Sequence, residues 1–472
     1  MRTLRALGAA ALAGCGALLS CAGNDTPGPG APSAADRPAA ANLYRAPVSR
    51  LEAPVVGRTR RRASHRPANS PIEHVVIIVQ ENRSFDNLFH KYPGADTVSS
   101  GLNSAGQSIK LKPISLAANY DLDHSSTAFF AACDGSPPGE NCKMDGFDRI
   151  AAQGRKIPPN PQYGYVPPGQ SKLYFQMAQQ YVLADRMFTS NLDESFVSHQ
   201  YIIAGQANSA VDVPPILPWG CGGGQDDVVS TLTQQRGYGP SESACFNSQT
   251  LADELDDAGL SWRYYAAGSS DYSSYIWSAF QAISHIYNSP EWTSNVISPP
   301  QQFLTDVGNG TLATVTWITP TCANSDHLGC LSKTGPEWVA SLVNAVGQSQ
   351  FWNTTTIFVM WDEFGGWYDH VPPPYEDYDG LGMRVPLLMI SPYANKGYVS
   401  HVQYEHGSIL RYVEDNFGLG QLAASDSRAN SPANDASFDY AQSPRPFVPF
   451  ATQTKAEEFV KALPDTRPPD AQ

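Results

Sequence analysis

Glu81 and Asn82 follow the apolar run "HVVIIV" (74–79) at a distance of one residue, and Asp362 and Glu363 follow "TTIFVMW" (355–361) directly. Three carboxylates and one amide oxygen are a donor set suited to one divalent cation, because hard and borderline cations favour oxygen ligands; the set does not name the metal. Either dipeptide alone reads as a strand-end cap or ion pair, whereas the two together read as the halves of a clamp. Gly365 and Gly366 would let the backbone turn tightly beside it. A cation of this kind often works with a hydroxyl nucleophile. "MFTSNLDESFVSHQYIIAGQ" (187–206) supplies Thr189, Ser190, Ser195 and Ser198 ahead of a helical run. Ser195 stands where that helix should open, so free N–H groups and the helix dipole would favour an oxyanion there. By local chemistry Ser195 and Ser190 are near rivals, and simple N-capping is the alternative use of either. His124 in "NYDLDHSSTAFF" and His327 in "TCANSDHLGC" could each hold a phosphoryl oxygen or protonate a leaving group near neutral pH; His370 in "YDHVPPP" is a further candidate. Arg83 adds a guanidinium that matches phosphate geometry, with a brace to Asp86 as its competing use.

These groups need a scaffold that brings distant segments to one edge. Short apolar runs at 74–79, 261–266, 313–319, 355–361 and 384–391 alternate with helical patterns, the signature of a parallel sheet covered on both faces. Between them, "SQTLADELDDAGL" predicts a helix with Ser248 as N-cap and Gly259 as terminator, and "PEWVASLVNAVGQS" predicts another with Trp338, Leu342 and Val343 on one face. The expectation is an α/β fold: a doubly wound, mostly parallel sheet with helices on both faces. In such sheets functional groups collect beyond the C-terminal strand ends, where both polar dipeptides fall.

The chain has 472 residues and 45 acidic against 31 basic side chains, a net charge of -14 that argues against nucleic acid as a partner. Arg2, Arg5 and the small apolar run to Ser20 read as an export segment over 1–21, with lipobox-like triplets before both Cys15 and Cys21. An exported protein is expected, either periplasmic, a cell-envelope lipoprotein or secreted, touching membrane only through such an anchor. Residues 22–70, rich in Pro, Ala, Arg and Ser, read as a disordered linker; 71–463 read as the folded body and 464–472 as a flexible tail. The remaining cysteines, Cys133, Cys142, Cys221, Cys245, Cys322 and Cys330, lie as three pairs close in sequence. That suggests local disulfides, with a structural zinc site as the rival.

Several segments together resemble a known family. "ENRSFDNLF", "MDGF" (144–147), "YVLADRMFTS", "GLSWRYY", "DEFGGWYDHVPPP" and "VPLLMISPYA" are similar to motifs of the bacterial phosphoesterases that include acidic phospholipases C and respiratory-burst-inhibiting acid phosphatases. The resemblance implies an alkaline-phosphatase-like core, one divalent metal ion and hydrolysis of phosphate esters through a Ser or Thr nucleophile. By position it implies Glu81, Asn82, Asp362 and Glu363 as metal ligands, Ser195 as nucleophile, and His124 and His327 as phosphoryl-holding or proton-donating groups. Around Ser195 the family's G-P-T-x-P-N becomes "DESFVS", so the flanking Gly-Pro and Pro-Asn are replaced. The expected substrate is a phosphate ester, with phospholipid as the alternative. A binding protein that keeps the scaffold without turnover is the non-enzymatic reading.

Overall fold

The computed structural model describes residues 70–461 and Pro464, which fall within one compact unit spanning 60–472. The export segment, nearly all of the linker and nearly all of the tail lie outside the described residues.

The scaffold is one eight-stranded sheet. In chain order its strands are β1 (His74–Gln80), β2 (Val182–Phe188), β3 (Trp262–Tyr265), β4 (Val296–Ile297), β5 (Val315–Ile318), β6 (Thr355–Trp361), β7 (Arg384–Ile390) and β8 (Val399–Ser400). Across the sheet they run β4-β3-β5-β1-β6-β7-β2-β8. All neighbours are parallel except that β7 runs against both β6 and β2. Every residue of β6 and β7, and of β1 after His74, is buried, as strands covered on both faces must be. The five expected strands are present, three of them shorter than expected. β2 was not anticipated as a strand because Asp185 and Arg186 interrupt its apolar run.

Five helices bear on the argument: α1 (Lys172–Gln180), α2 (Ser195–Ala204), α3 (Leu251–Asp257), α4 (Gly335–Gly347) and α5 (His406–Phe417). On α4, Trp338, Leu342 and Val343 are buried as their spacing required. Helix α3 corrects one expectation: its N-cap is Thr250, whose backbone N–H and hydroxyl both donate to Asp253, while the Ser248 hydroxyl reaches Asn208 instead. A residue two positions nearer the first buried Leu closes the capping box, which explains the shift. The six cysteines form Cys133–Cys142, Cys221–Cys245 and Cys322–Cys330 disulfides, which replaces the zinc alternative. The last of these closes the loop after β5 that carries His327.

Candidate active site

The parallel register of β1 and β6 pairs Gln80 with Trp361, so the chain leaves both strands at the same level and the next residues emerge side by side. The Asp362 N–H donates to the Gln80 carbonyl at 3.0 Å, and the Asn82 N–H donates to Asp362 Oδ1 at 3.0 Å. Asn82 adopts a left-handed backbone (φ 60°), a conformation Asn tolerates better than most residues. The turn after Glu363 crosses so close that a Cβ on Gly365 would lie 2.3 Å from the Asn82 carbonyl oxygen, and Gly365 itself has φ +62°. Glycine is therefore required there on two counts.

Into this corner α2 delivers Ser195. Its N-cap is Glu194, so Ser195 is the first helical residue and its hydroxyl is not spent on capping. Instead Ser195 Oγ donates to Glu81 Oε2 and accepts from Asn82 Nδ2, both at 3.3 Å. Asn82 Nδ2 also donates to Glu363 Oε1, and Glu363 Oε2 accepts the Gly365 N–H at 2.7 Å. Glu81, Asn82, Ser195, Asp362 and Glu363 thus meet in one buried cluster.

The electrostatics fit a cation. Burial first, then Glu81, pushes the Asp362 carboxyl up to about 8; burial likewise pushes Glu363 up to about 8, partly offset by His124. The largest charge effects on these two come from other carboxylates and from histidines rather than from Lys or Arg. Asn82 Oδ1 is buried without a hydrogen-bond partner, an acceptor waiting for a positive centre. Oxygens of Glu81 and Asp362 and a nitrogen of His199 all lie within 4.8 Å of one another. The donor set therefore fits a divalent ion held by Glu81, Asn82, Asp362 and Glu363.

Two histidines edge the cluster. His124 Nδ1 is 2.7 Å from the Leu122 carbonyl, which can only accept, so Nδ1 carries a proton and Nε2 points to Glu363 Oε1 at 3.9 Å. His327 Nδ1 accepts the Gly329 N–H at 3.2 Å, so its proton sits on Nε2. The two rings are 5.7 Å apart. Gln80 fastens the His327 loop by donating to the Asn324 carbonyl and accepting from the Asp326 N–H.

A model of the Phosphoesterase family matches residues 72–420, from β1 through α5. The chain belongs to that family. It is 26% identical over 420 residues to a non-hemolytic phospholipase C of Burkholderia pseudomallei, covering 73% of this phosphoesterase and 55% of that protein. It is 24% identical over 434 residues to phospholipase C B of Mycobacterium tuberculosis, covering 80% of each, and 26% identical over 400 residues to non-specific phospholipase C3 of Arabidopsis thaliana, covering 74% and 70%. The chain spans little more than half the length of the Burkholderia relative and of a hemolytic phospholipase C from Pseudomonas aeruginosa. Among solved structures, an alkaline phosphatase superfamily protein from Vibrio parahaemolyticus is 10% identical with a TM-score of 0.37, covering 79% of this chain and 73% of that one. At that score the likeness carries no argument.

Other candidates of this phosphoesterase lie elsewhere. Arg83 is fully buried, donates from Nε to the Asp326 carbonyl at 2.8 Å and stacks on Trp367, so it braces the His327 loop rather than offering itself to substrate. Nor does it pair with Asp86. His370 is held by Asp86 at 2.6 Å and Asp96 at 3.1 Å, with Arg384 alongside, which commits it to a separate charge network. Ser190 donates to Glu405 at 2.8 Å and Thr189 to the Asn191 carbonyl at 2.7 Å, so neither competes with Ser195. The residue that the expected set omitted is His199, whose Nε2 is 2.9 Å from Glu81 Oε1 and which burial pulls down to about 4. Its signal was present in the spacing: four residues after Ser195 on a helix is the same face.

Proposed function

We propose that the protein is an exported, metal-dependent phosphoric ester hydrolase, acid-phosphatase-like, in which Ser195 forms a phosphoserine. The observation that carries the reading is the meeting of Ser195 Oγ with Glu81 Oε2 and Asn82 Nδ2 at 3.3 Å on the first turn of α2. A bound divalent ion would supply Lewis-acid stabilisation of the serine oxygen and of the phosphoryl charge.

The protein groups do the rest. Ser195 Oγ attacks phosphorus and passes its proton to Glu81 Oε2 as the bond to the substrate alcohol breaks. His124, protonated on both nitrogens, gives its Nε2 proton to the departing alkoxide; its Nδ1–H stays on the Leu122 carbonyl, which keeps the ring aimed. His327 cannot play that part readily, because Nδ1 is already an acceptor for a backbone N–H; its Nε2–H instead donates to a phosphoryl oxygen. Neutral His124 then takes a proton from the attacking water, phosphate leaves, and Glu81 returns the proton to Ser195. The reading of residues 1–21 as an export segment supports a periplasmic, cell-envelope or secreted setting.

Phospholipase C is the second reading, favoured by relatives that bear that name and cover 74–80% of this chain. The test is turnover of p-nitrophenyl phosphate, its phosphorylcholine diester and a phospholipid emulsion, each with and without chelator. Hydrolysis of the monoester supports the phosphatase; turnover confined to the diester and emulsion supports the lipase. Ser195→Ala should lower kcat by about 1,000-fold or more on any substrate that is turned over. Full activity in that variant overturns the assignment of the nucleophile.

A further inference from the structure

Helix α2 holds both oxygens of one carboxylate. Ser195 reaches Glu81 Oε2 at 3.3 Å, and one turn later His199 Nε2 lies 2.9 Å from Glu81 Oε1. All three side chains are at most 1% exposed, so water does not compete for either contact. The protonation of the ring follows from its other nitrogen. His199 Nδ1 is buried without a hydrogen-bond partner. A proton there would bury an unpaired donor while setting a bare Nε2 against a carboxylate oxygen, two penalties at once; a proton on Nε2 instead makes a charge-assisted bond and leaves one acceptor unused, a single penalty. The same tautomer removes Nε2 as a metal ligand, although His199 lies close enough to Glu81 and Asp362 to share an ion with them.

We propose that His199 is a positioning residue of this site: its Nε2–H donates to Glu81 Oε1, locks the carboxylate plane, and so keeps Oε2 turned to Ser195 Oγ. The assignment rests on the reading of Ser195 as nucleophile and Glu81 as its proton acceptor. Its role belongs to the side chain this chain carries one helical turn beyond the hydroxyl, and it separates the two oxygens of Glu81 into one that is anchored and one that works.

Three measurements decide it. In metal-free protein with 15N-labelled histidine, the His199 signals, assigned by their loss in His199→Gln, should show a protonated Nε2 and a bare Nδ1; a protonated Nδ1 overturns the proposal. His199→Gln keeps an N–H donor at similar reach and should hold kcat within about 3-fold of the parent, while His199→Leu should lower kcat about 10- to 100-fold with KM little changed. Equal activity in His199→Leu and the parent overturns it. Calorimetric titration with Mn2+ and Zn2+ separates positioning from ligation: His199→Gln should bind as tightly as the parent, and a loss shared equally by His199→Gln and His199→Leu makes His199 a ligand instead. Ser195→Ala tests the underlying reading separately. Activity surviving there sinks the nucleophile, while the tautomer and titration still decide what His199 does.

Discussion

Two carboxylate clusters lie within six residues of each other along the chain after β1, and they are built for opposite ends. In the first, Glu81, Asp362 and Glu363 face one another, and burial holds Asp362 and Glu363 near 8. In the second, Asp86 and Asp369 converge on Arg384, whose Nε donates to Asp369 at 3.0 Å and whose Nη2 is 3.6 Å from Asp86. Arg384 is itself fully buried over the Phe85 ring, and His370 closes the group from the other side. The second cluster neutralises itself and braces the junction of β7 with the segment after β1. The first has no guanidinium at its centre and carries a buried amide oxygen without a hydrogen-bond partner, a donor set that suits a divalent cation. A single buried arginine distinguishes a brace from a site.

Breaking each cluster should therefore give opposite results. Arg384→Met would leave Asp86 and Asp369 buried without their counter-charge, and unfolding in denaturant should report a loss of about 3–5 kcal/mol that added metal does not recover. A small loss, or recovery with metal, would erase the distinction. Asp362→Asn should do the reverse: divalent-ion affinity measured by calorimetry falls at least about 10-fold, yet the chelated protein melts no lower than the chelated parent, because the amide removes a buried carboxyl that burial and Glu81 already disfavour in its charged form. Lower stability of chelated Asp362→Asn would mean that this cluster is also a brace.

A third buried acid sharpens the contrast at smaller scale. Glu414 on α5 has its carboxyl raised from 4.5 to about 9, first by burial and then by Asp426 and Glu254. The folded protein keeps that proton while the unfolded chain loses it, so this contribution is complete below pH 4.5 and declines as pH rises toward about 9. Its slope is at most about 1.4 kcal/mol per pH unit. Glu414→Gln should flatten the dependence of melting temperature on pH in that window; an unchanged profile would show that burial here is not felt as a titration.

Much of the site was legible in the sequence because its parts are local. "QEN" and "DE" announce themselves as polar groups at the ends of apolar strands, and Gly365 announces the turn between them. His124 and His327 were legible as candidates, but the separate roles proposed for them were not, since these follow from whether Nδ1 meets a carbonyl or an N–H. The partners of Arg83 and His370 were not legible for the same reason: a guanidinium or imidazole in a polar motif has the same chemistry whether it meets substrate or another protein group. β2 escaped because a strand can bury Asp185 when Asp96 N–H and His401 satisfy it, which a hydropathy pattern does not record.

The sequence by itself determined five of the eight strands, the cysteine pairs as neighbours, and the polar residues set at strand ends, because period, burial and turn chemistry act over a few residues. Tertiary structure alone decided that Gln80 pairs with Trp361, that β7 runs antiparallel, and that α2 brings Ser195 and His199 onto opposite oxygens of Glu81. Those outcomes join segments from about thirty to nearly three hundred residues apart, and the hydrogen bonds and buried charges that select them exist only once the chain has closed.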